Sequence, residues 1–198
     1  MQITVTDFYS NANVADCPKE NRPEYAFIGR SNVGKSSLIN MILNRRIAYT
    51  SSKPGKTTLI NHILINNNWS LVDLPGYGYA KLSKLKRSEI LKMTQDYFTQ
   101  RGNRLASVFL LIDIRIPPQK IDLEWMEWLV QNNIYFIRVF TKSDKMKKGQ
   151  IRNVIDKYDH YMKTNHWEKV PESIVTSSVK GFGKDEILNK IIKINELF

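Results

Sequence analysis

The sequence predicts an α/β fold: a single doubly wound, mostly parallel sheet flanked by helices, with one antiparallel hairpin strand. Three observations predict it. Beyond residue 73, strand-like and helix-like segments alternate, which is the pattern of right-handed crossovers onto one sheet. The run Ala106-Ser107-Val108-Phe109-Leu110-Leu111-Ile112 is nearly continuously apolar, as expected of a central parallel strand covered on both faces. Finally, Gly29-Arg30-Ser31-Asn32-Val33-Gly34-Lys35-Ser36 fits the pattern G-x-x-x-x-G-K-[ST]. It lies between a strand-like run, Tyr25-Ala26-Phe27-Ile28, and a helix-like one beginning at Ser37. Glycines there let successive N–H groups and the positive helix end face phosphate oxygens, while Lys35 supplies a mobile charge and Ser36 a hydroxyl for magnesium. The doubly wound arrangement places a ligand at the carboxyl ends of the strands.

The elements are read in order. Residues 1–22 form an N-terminal extension packed on a main domain of residues 23–198; Ile3, Val5 and Phe8 suggest an edge strand, followed by a polar loop. A strand at 25–28 and a helix at 36–44 frame the glycine loop. Arg45 to Lys56 is a mobile loop, closed by Lys53-Pro54-Gly55-Lys56-Thr57-Thr58. Residues 59–65 and 69–72 read as strands joined by Asn66-Asn67-Asn68, hence an antiparallel hairpin. Asp73-Leu74-Pro75-Gly76 follows: Asp73 can hold magnesium through water, and Gly76 offers a backbone N–H to a terminal phosphate. Tyr77 to Lys86 is its mobile continuation. A helix over 88–101, the central strand at 106–112 and an amphipathic helix over 119–132 come next. Trp125 and Trp128 in that helix read as core, with Asp122, Glu124 and Glu127 between the apolar positions. Then come a strand at 134–140, a polar helix at 147–165, a strand at 173–176 and a closing helix at 184–196.

Composition excludes several classes. The 198 residues carry 30 Lys and Arg against 19 Asp and Glu, a net charge of +11. Residues 81–104 hold seven basic and two acidic side chains, and residues 138–157 repeat that excess. Such clusters attract polyanions through counterion release, so a nucleic-acid partner is expected. No apolar run approaches the ~20 residues needed to span a bilayer, and no secretory signal is present, so a cytoplasmic location is expected. Cys17 is the single cysteine, which excludes an intrachain disulfide. His62, His160 and His166 lack metal-ligand spacing and read as surface or partly buried residues.

Thr141-Lys142-Ser143-Asp144 resembles the [NT]-K-x-D element of GTP-binding proteins. A carboxylate at Asp144 can accept from N1–H and the 2-amino group of guanine, neither of which adenine offers, and Lys142 would lie along the base and ribose. An unpaired buried carboxylate costs on the order of 1–3 kcal/mol, which selects against ATP. Thr141 stands where asparagine usually ties this loop to the phosphate loop, and its shorter hydroxyl is expected to hold less firmly. Thr176-Ser177-Ser178, with Lys180, resembles the S-A-K element whose backbone N–H meets guanine O6.

These motifs stand in the order of translation-factor-type P-loop GTPases with a Ras-like G domain. Gly-Arg-Ser-Asn-Val-Gly-Lys-Ser-Ser, Ser-Ser-Lys-Pro-Gly-Lys-Thr, Asp-Leu-Pro-Gly-Tyr-Gly and Thr-Lys-Ser-Asp resemble the EngB (YihA/YsxC) family over nearly the whole chain. The resemblance implies a single-domain, monomeric GTPase that binds GTP and GDP, acts in assembly of the large ribosomal subunit and is required for normal cell division. It implies Ser36 and Thr57 as direct magnesium ligands, Thr57 also closing over the terminal phosphate, with Gly55, Lys56, Thr58 and Leu59 beside it; Thr58 competes with Thr57 for that role. Lys35, Thr57, Gly76 and Asn32 are the expected catalytic set. Tyr77 occupies the place where many GTPases carry a water-orienting glutamine, so intrinsic hydrolysis should be slow. Related proteins with asparagine at the position of Asn32 use it to bind potassium, which is expected here too. A regulatory GTPase acting on a protein or membrane partner would share every nucleotide residue, and an ATP-dependent kinase would leave Asp144 without a purpose.

Overall fold

In the computed structural model, which describes residues 2–48, 58–78, 82–165 and 167–198, the chain alternates strands and helices along nearly its whole length. In order these are β1 (Val5–Asn11), β2 (Glu24–Gly29), α1 (Lys35–Leu43), β3 (Ile60–Ile65), β4 (Trp69–Asp73), α2 (Lys84–Gln100), β5 (Leu105–Asp113), α3 (Lys120–Gln131), β6 (Phe136–Thr141), α4 (Lys148–Thr164), β7 (Ser173–Val175) and α5 (Lys184–Asn195). The strands form one sheet in the order β1-β3-β4-β2-β5-β6-β7. β2 runs parallel to both β4 and β5, β5 to β6 and β6 to β7, while β3 pairs antiparallel with β1 and β4.

Alternation along the strands builds two apolar layers. Ala26, Ile28, Val108, Leu110 and Ile112 face one side, against Tyr97 and Phe98 of α2, Trp125 and Met126 of α3 and Tyr158 of α4. Tyr25, Phe27, Phe109 and Leu111 face the other, against Leu38 and Ile42 of α1 and Ile187 and Ile191 of α5. With helices on both faces the central strands read as continuous apolar runs, as the sequence predicted. The β3–β4 hairpin also stands as expected. Asn66 and Asn67 both adopt positive φ, 51° and 53°, the twist a tight hairpin needs and one asparagine tolerates. Among the described residues, no helix is long and apolar enough to cross a membrane.

Several expectations are corrected. Helix α2 starts at Lys84, a full turn before the expected Ser88, because the Ser83 hydroxyl accepts from the Lys86 N–H at 3.2 Å and caps it. Lys84, Lys86 and Arg87 therefore sit on a helix rather than in a mobile loop. Phe8 is exposed, although a register shift in β1 between Val5 and Asp7 sets it opposite Ile63, on the same face as Val5 opposite Ile65. β6 begins at Phe136 rather than 134, because Asn133 in the left-handed region ends α3. Arg101 and Arg138, counted within the basic clusters, are fully internal. Arg138 pairs with Asp159 at 2.7 Å. His62, read as surface or partly buried, is fully buried, and so are the Cys17 thiol and Asp122.

His62 and Arg101 meet at Glu24, the first residue of β2. The Glu24 carboxylate accepts from Tyr97 Oη at 2.7 Å and from Arg101 Nε at 2.9 Å, with His62 Nε2 3.3 Å away. Burial alone would raise its pKa, but the bonds from His62, Arg101 and Tyr97 prevail and bring it from 4.5 down to about 2. A depressed folded-state pKa contributes stability above pH 4.5 that is lost as pH falls toward 2. Urea melts across that window should therefore show the parent weakening with acid, and Glu24→Gln should flatten the slope. Arg101→Met strands the carboxylate and should cost about 3–5 kcal/mol at neutral pH.

Candidate nucleotide-binding site

The parallel register brings the strand ends to one edge. β2 ends at Gly29, paired opposite Leu111 of β5, and β4 ends at Asp73, paired opposite Phe27. A Cβ on Gly29 would lie 2.9 Å from both Cβ and the carbonyl oxygen of Leu111, so only glycine fits where β2 leaves the sheet. The chain then curls through Arg30–Gly34 into α1, with Asn32 at φ 62° and Gly34 at φ 105°. The Ser31 N–H donates to the Tyr77 carbonyl at 2.9 Å, and the Tyr77 N–H to the Gly29 carbonyl at 3.1 Å. The glycine loop and the segment after Gly76 are thus bridged, backbone to backbone.

Lys35 and Asp73 are both buried and pair with each other at the mouth of this loop. Ser36, one residue on, is half-buried. Val33 and Leu74 point into the core, so only their backbones face the site. Pro75 and Gly76 are buried and continue from β4 to Tyr77. Thr58 is half-buried and Leu59 exposed at the start of β3. Gly55, Lys56 and Thr57 lie outside the described residues, as do Lys53, Lys81 and His166.

From β6 come Thr141 and Lys142. The Thr141 hydroxyl donates to the Val33 carbonyl at 2.6 Å, and Lys142 Nζ donates to the Asn32 carbonyl at 2.6 Å. The hydroxyl therefore reaches the phosphate loop, and the slack expected of threonine at this position is absent. Ser143 is fixed by its N–H to the Thr176 carbonyl at 3.1 Å. The Ser177 hydroxyl donates to Asp144 Oδ1 at 2.7 Å, and that bond lowers the Asp144 pKa. Ser177 in turn pairs with Phe182 across a tight turn. Thr176 is buried, with its N–H given to the Phe140 carbonyl at 2.7 Å, while Ser178 is half-open at the rim.

Tyr77 is turned inward. Its hydroxyl donates to Asp122 Oδ1 at 2.8 Å and its ring stacks on Trp125 with centroids 5.6 Å apart. Burial, with Asp122 adjacent, raises its pKa well above 10, so it remains a neutral phenol. Arg30 of the glycine loop lies 3.2 Å from the other Asp122 oxygen. Asp122 reads by residue type as a solvent-facing charge between core positions; its spacing, three, four and seven residues before the buried Trp125, Met126 and Leu129, was the signal that it shares their face. Asp113 was missed as well. It ends β5 as Asp73 ends β4, so a carboxylate closing an apolar strand was the signal available.

A glycine loop between strand and helix, a lysine and a strand-end aspartate at its mouth, and a T-K-x-D loop tied onto it define a P-loop GTPase. The family model described as 50S ribosome-binding GTPase matches residues 24–142. The chain is 53% identical over 198 residues to the protein named Probable GTP-binding protein EngB of Flavobacterium johnsoniae, covering 99% of this chain and 94% of that one. With the protein of the same name from Phocaeicola vulgatus it shares 51% over 197 residues, covering 98% of each. Among solved structures it resembles Era in complex with MgGDPNP and a segment of 16S ribosomal RNA, with a TM-score of 0.67 and 25% identity over 89% of this chain and 57% of that one. The chain belongs to the EngB family of GTP-binding proteins.

Among the described residues, no group of three or more His, Cys, Asp and Glu could hold a metal by itself. Ser36 and Asp73 are instead suited to a cation completed by phosphate oxygens and water, the usual manner of magnesium. Two outcomes are expected. Asp144→Asn should weaken GTP by about 1–3 kcal/mol and favour xanthosine triphosphate, whose 2-oxo group meets the new amide; competition titrations read both. Tyr77→Phe should cost about 1–3 kcal/mol in chemical melts by stranding Asp122, yet leave the hydrolysis rate per bound GTP nearly unchanged. A large loss of turnover would place the phenol at the phosphate instead.

Proposed function

We propose that the chain is a cytoplasmic, nucleotide-dependent switch that hydrolyses GTP slowly, acts in assembly of the large ribosomal subunit, and through that is needed for normal cell division. Family membership supports the first part, and the family description, 50S ribosome-binding GTPase, supports the second. The observation that carries it on this chain is the first turn of α2. Lys84, Lys86 and Arg87 stand there exposed, and the turn holds no acidic residue. Among the described residues Lys86 pairs with Glu89 at 3.0 Å, but cations at a helix N-terminus oppose the helix dipole, each at roughly 0.3–1 kcal/mol, so helix stability does not account for Lys84 and Arg87. An external polyanion does. On α4 and the loop before it, Lys145, Lys147, Lys148 and Lys157 are likewise exposed.

In the bound state Lys35 leaves Asp73 for the phosphates, and the N–H groups at the entry to α1, from Gly34 to Ser36, surround them. Ser36, with Asp73 acting through water and Thr57, would hold magnesium, which supplies positive charge to the phosphate oxygens. Gly76 gives its N–H to the terminal phosphate. Because Tyr77 follows directly and is bridged to Gly29 and Ser31, a shift at Gly76 is passed to the segment leading into α2. Tyr77 faces Asp122, so it does not orient water; hydrolysis is slow unless a partner supplies that group. Asn32, exposed beside the loop, is assigned to potassium, which adds charge at the transition state.

Co-sedimentation with purified ribosomal subunits tests the output. The form loaded with a GTP analogue should bind large-subunit particles better than the GDP form, with binding falling steeply as salt rises. Replacing Lys84, Lys86 and Arg87 with alanine should abolish the association while raising the melting temperature slightly and sparing nucleotide affinity. Equal binding by the two nucleotide forms, or by the triple variant, would favour a protein or membrane partner. Turnover should be faster in potassium than in sodium at equal ionic strength, with Asn32→Ala erasing the difference.

A further inference from the structure

Asp113 closes β5 with its side chain only 5% exposed. Its Oδ2 lies 2.9 Å from Lys142 Nζ and accepts from Arg115 Nη2 at 2.7 Å. Oδ1 accepts from Arg115 Nε at 2.9 Å and from the Arg115 backbone N–H at 3.1 Å. The same Lys142 ammonium donates to the Asn32 carbonyl at 2.6 Å. One ammonium therefore joins the end of β5 to the phosphate loop, and Asp113 is the end of that link anchored in the sheet.

The lysine itself is held in a costly conformation, beside an asparagine in the same left-handed region, which asparagine tolerates. Lys142 sits at φ 61° and ψ 32°, and Asn32 at φ 62°. A left-handed conformation costs a residue with a side chain roughly 1–2 kcal/mol, and it persists where the surroundings over-determine it. Thr141, immediately before, is paired with Asp113 across the β5–β6 ladder, which fixes the Asp113 carboxylate relative to Lys142. The carboxylate is held as an anion: burial would raise its pKa, but Arg115 and Lys142 prevail and lower it to about 2. A cleft of about 180 Å³ opens at this point, with Arg30, Asn32, Asp113, Arg115 and Lys142 in its walls.

We propose that Asp113 is a positioning residue for the guanine nucleotide: by holding Lys142 between β5 and the Asn32 carbonyl, it keeps the lysine stem along the nucleoside and the phosphate loop in its binding shape. The proposal rests on the reading of Lys142 as the residue lying along base and ribose. Since those parts are common to both nucleotides, GDP and GTP depend on Asp113 equally, and the rate of the chemical step does not depend on it.

A double-mutant cycle on the full chain tests this, with affinities for fluorescent GDP and GTP measured for the parent, Asp113→Asn, Lys142→Met and the pair. Asp113→Asn should weaken both nucleotides on the order of tenfold, raise KM and leave kcat within about twofold, and should add less than about twofold once Lys142 is methionine. Additive effects, a loss confined to GTP, or a fall in kcat would overturn the proposal. Should Asp113→Asn fail to fold by circular dichroism, Asp113→Glu, which keeps the charge and displaces it by one methylene, goes through the same cycle under the same criteria. A parent that binds GDP while the cycle is additive refutes Asp113 alone; a parent that does not bind GDP refutes the site.

Discussion

The parallel pairing of β2 with β4 on one side and β5 on the other is the constraint on which the rest depends. It sends the glycine loop, Asp73 and Asp113 out of the sheet at one edge and in one direction. The addition of β6 beside β5 brings Thr141 to that edge as well. The pairing tolerates no side chain at residue 29, since a Cβ there would press into Leu111. Close strand approach and loop departure are thus the same requirement, met by the same glycine. The two apolar layers hold β2 from both faces, and the Glu24 cluster holds its other end against α2 and β3.

At both ends of its strands the chain uses buried carboxylates as fixed points. Glu24 anchors α2, Asp122 anchors Tyr77 and Arg30, Asp113 anchors Lys142 and Arg115, and Asp73 receives Lys35. Each burial is unfavourable alone and is offset by cationic or hydroxyl partners. The Lys35–Asp73 pair differs in kind from the rest. Its two members are the groups that a bound phosphate and its cation would claim, so the pair keeps each charge satisfied until ligand arrives. The other three pairs link elements that move relative to one another only if the links break.

Much of this was legible in the sequence, and the reasons are specific. The phosphate loop and the T-K-x-D element are local patterns whose residues must be adjacent in the chain, and β5 and the hairpin follow from hydrophobic patterning and the Asn66–Asn67 turn. What stayed hidden is chemistry made by tertiary contact. Helical spacing sets Asp122 on the face of Trp125, Met126 and Leu129 and Glu124 off it, but nothing in the sequence shows that Tyr77 is the group that covers the Asp122 carboxylate. Charge counting placed Arg101 and Arg138 on a basic surface because it cannot see Glu24 or Asp159. The start of α2 was misplaced because Ser83, a single capping hydroxyl, outweighs a basic and otherwise unremarkable run. Thr141 shows the opposite case: its reach to Val33 depends on a backbone separation that only the β5–β6 pairing sets.

The central claim is that these strand ends assemble a site for guanine nucleotides. Titration calorimetry of the unmodified chain with GDP and with ADP, at one magnesium concentration, tests it most directly. The account predicts GDP binding tighter by on the order of a hundredfold or more, because Asp144 meets two donors in guanine that adenine lacks. Equal affinities for the two nucleotides would contradict it.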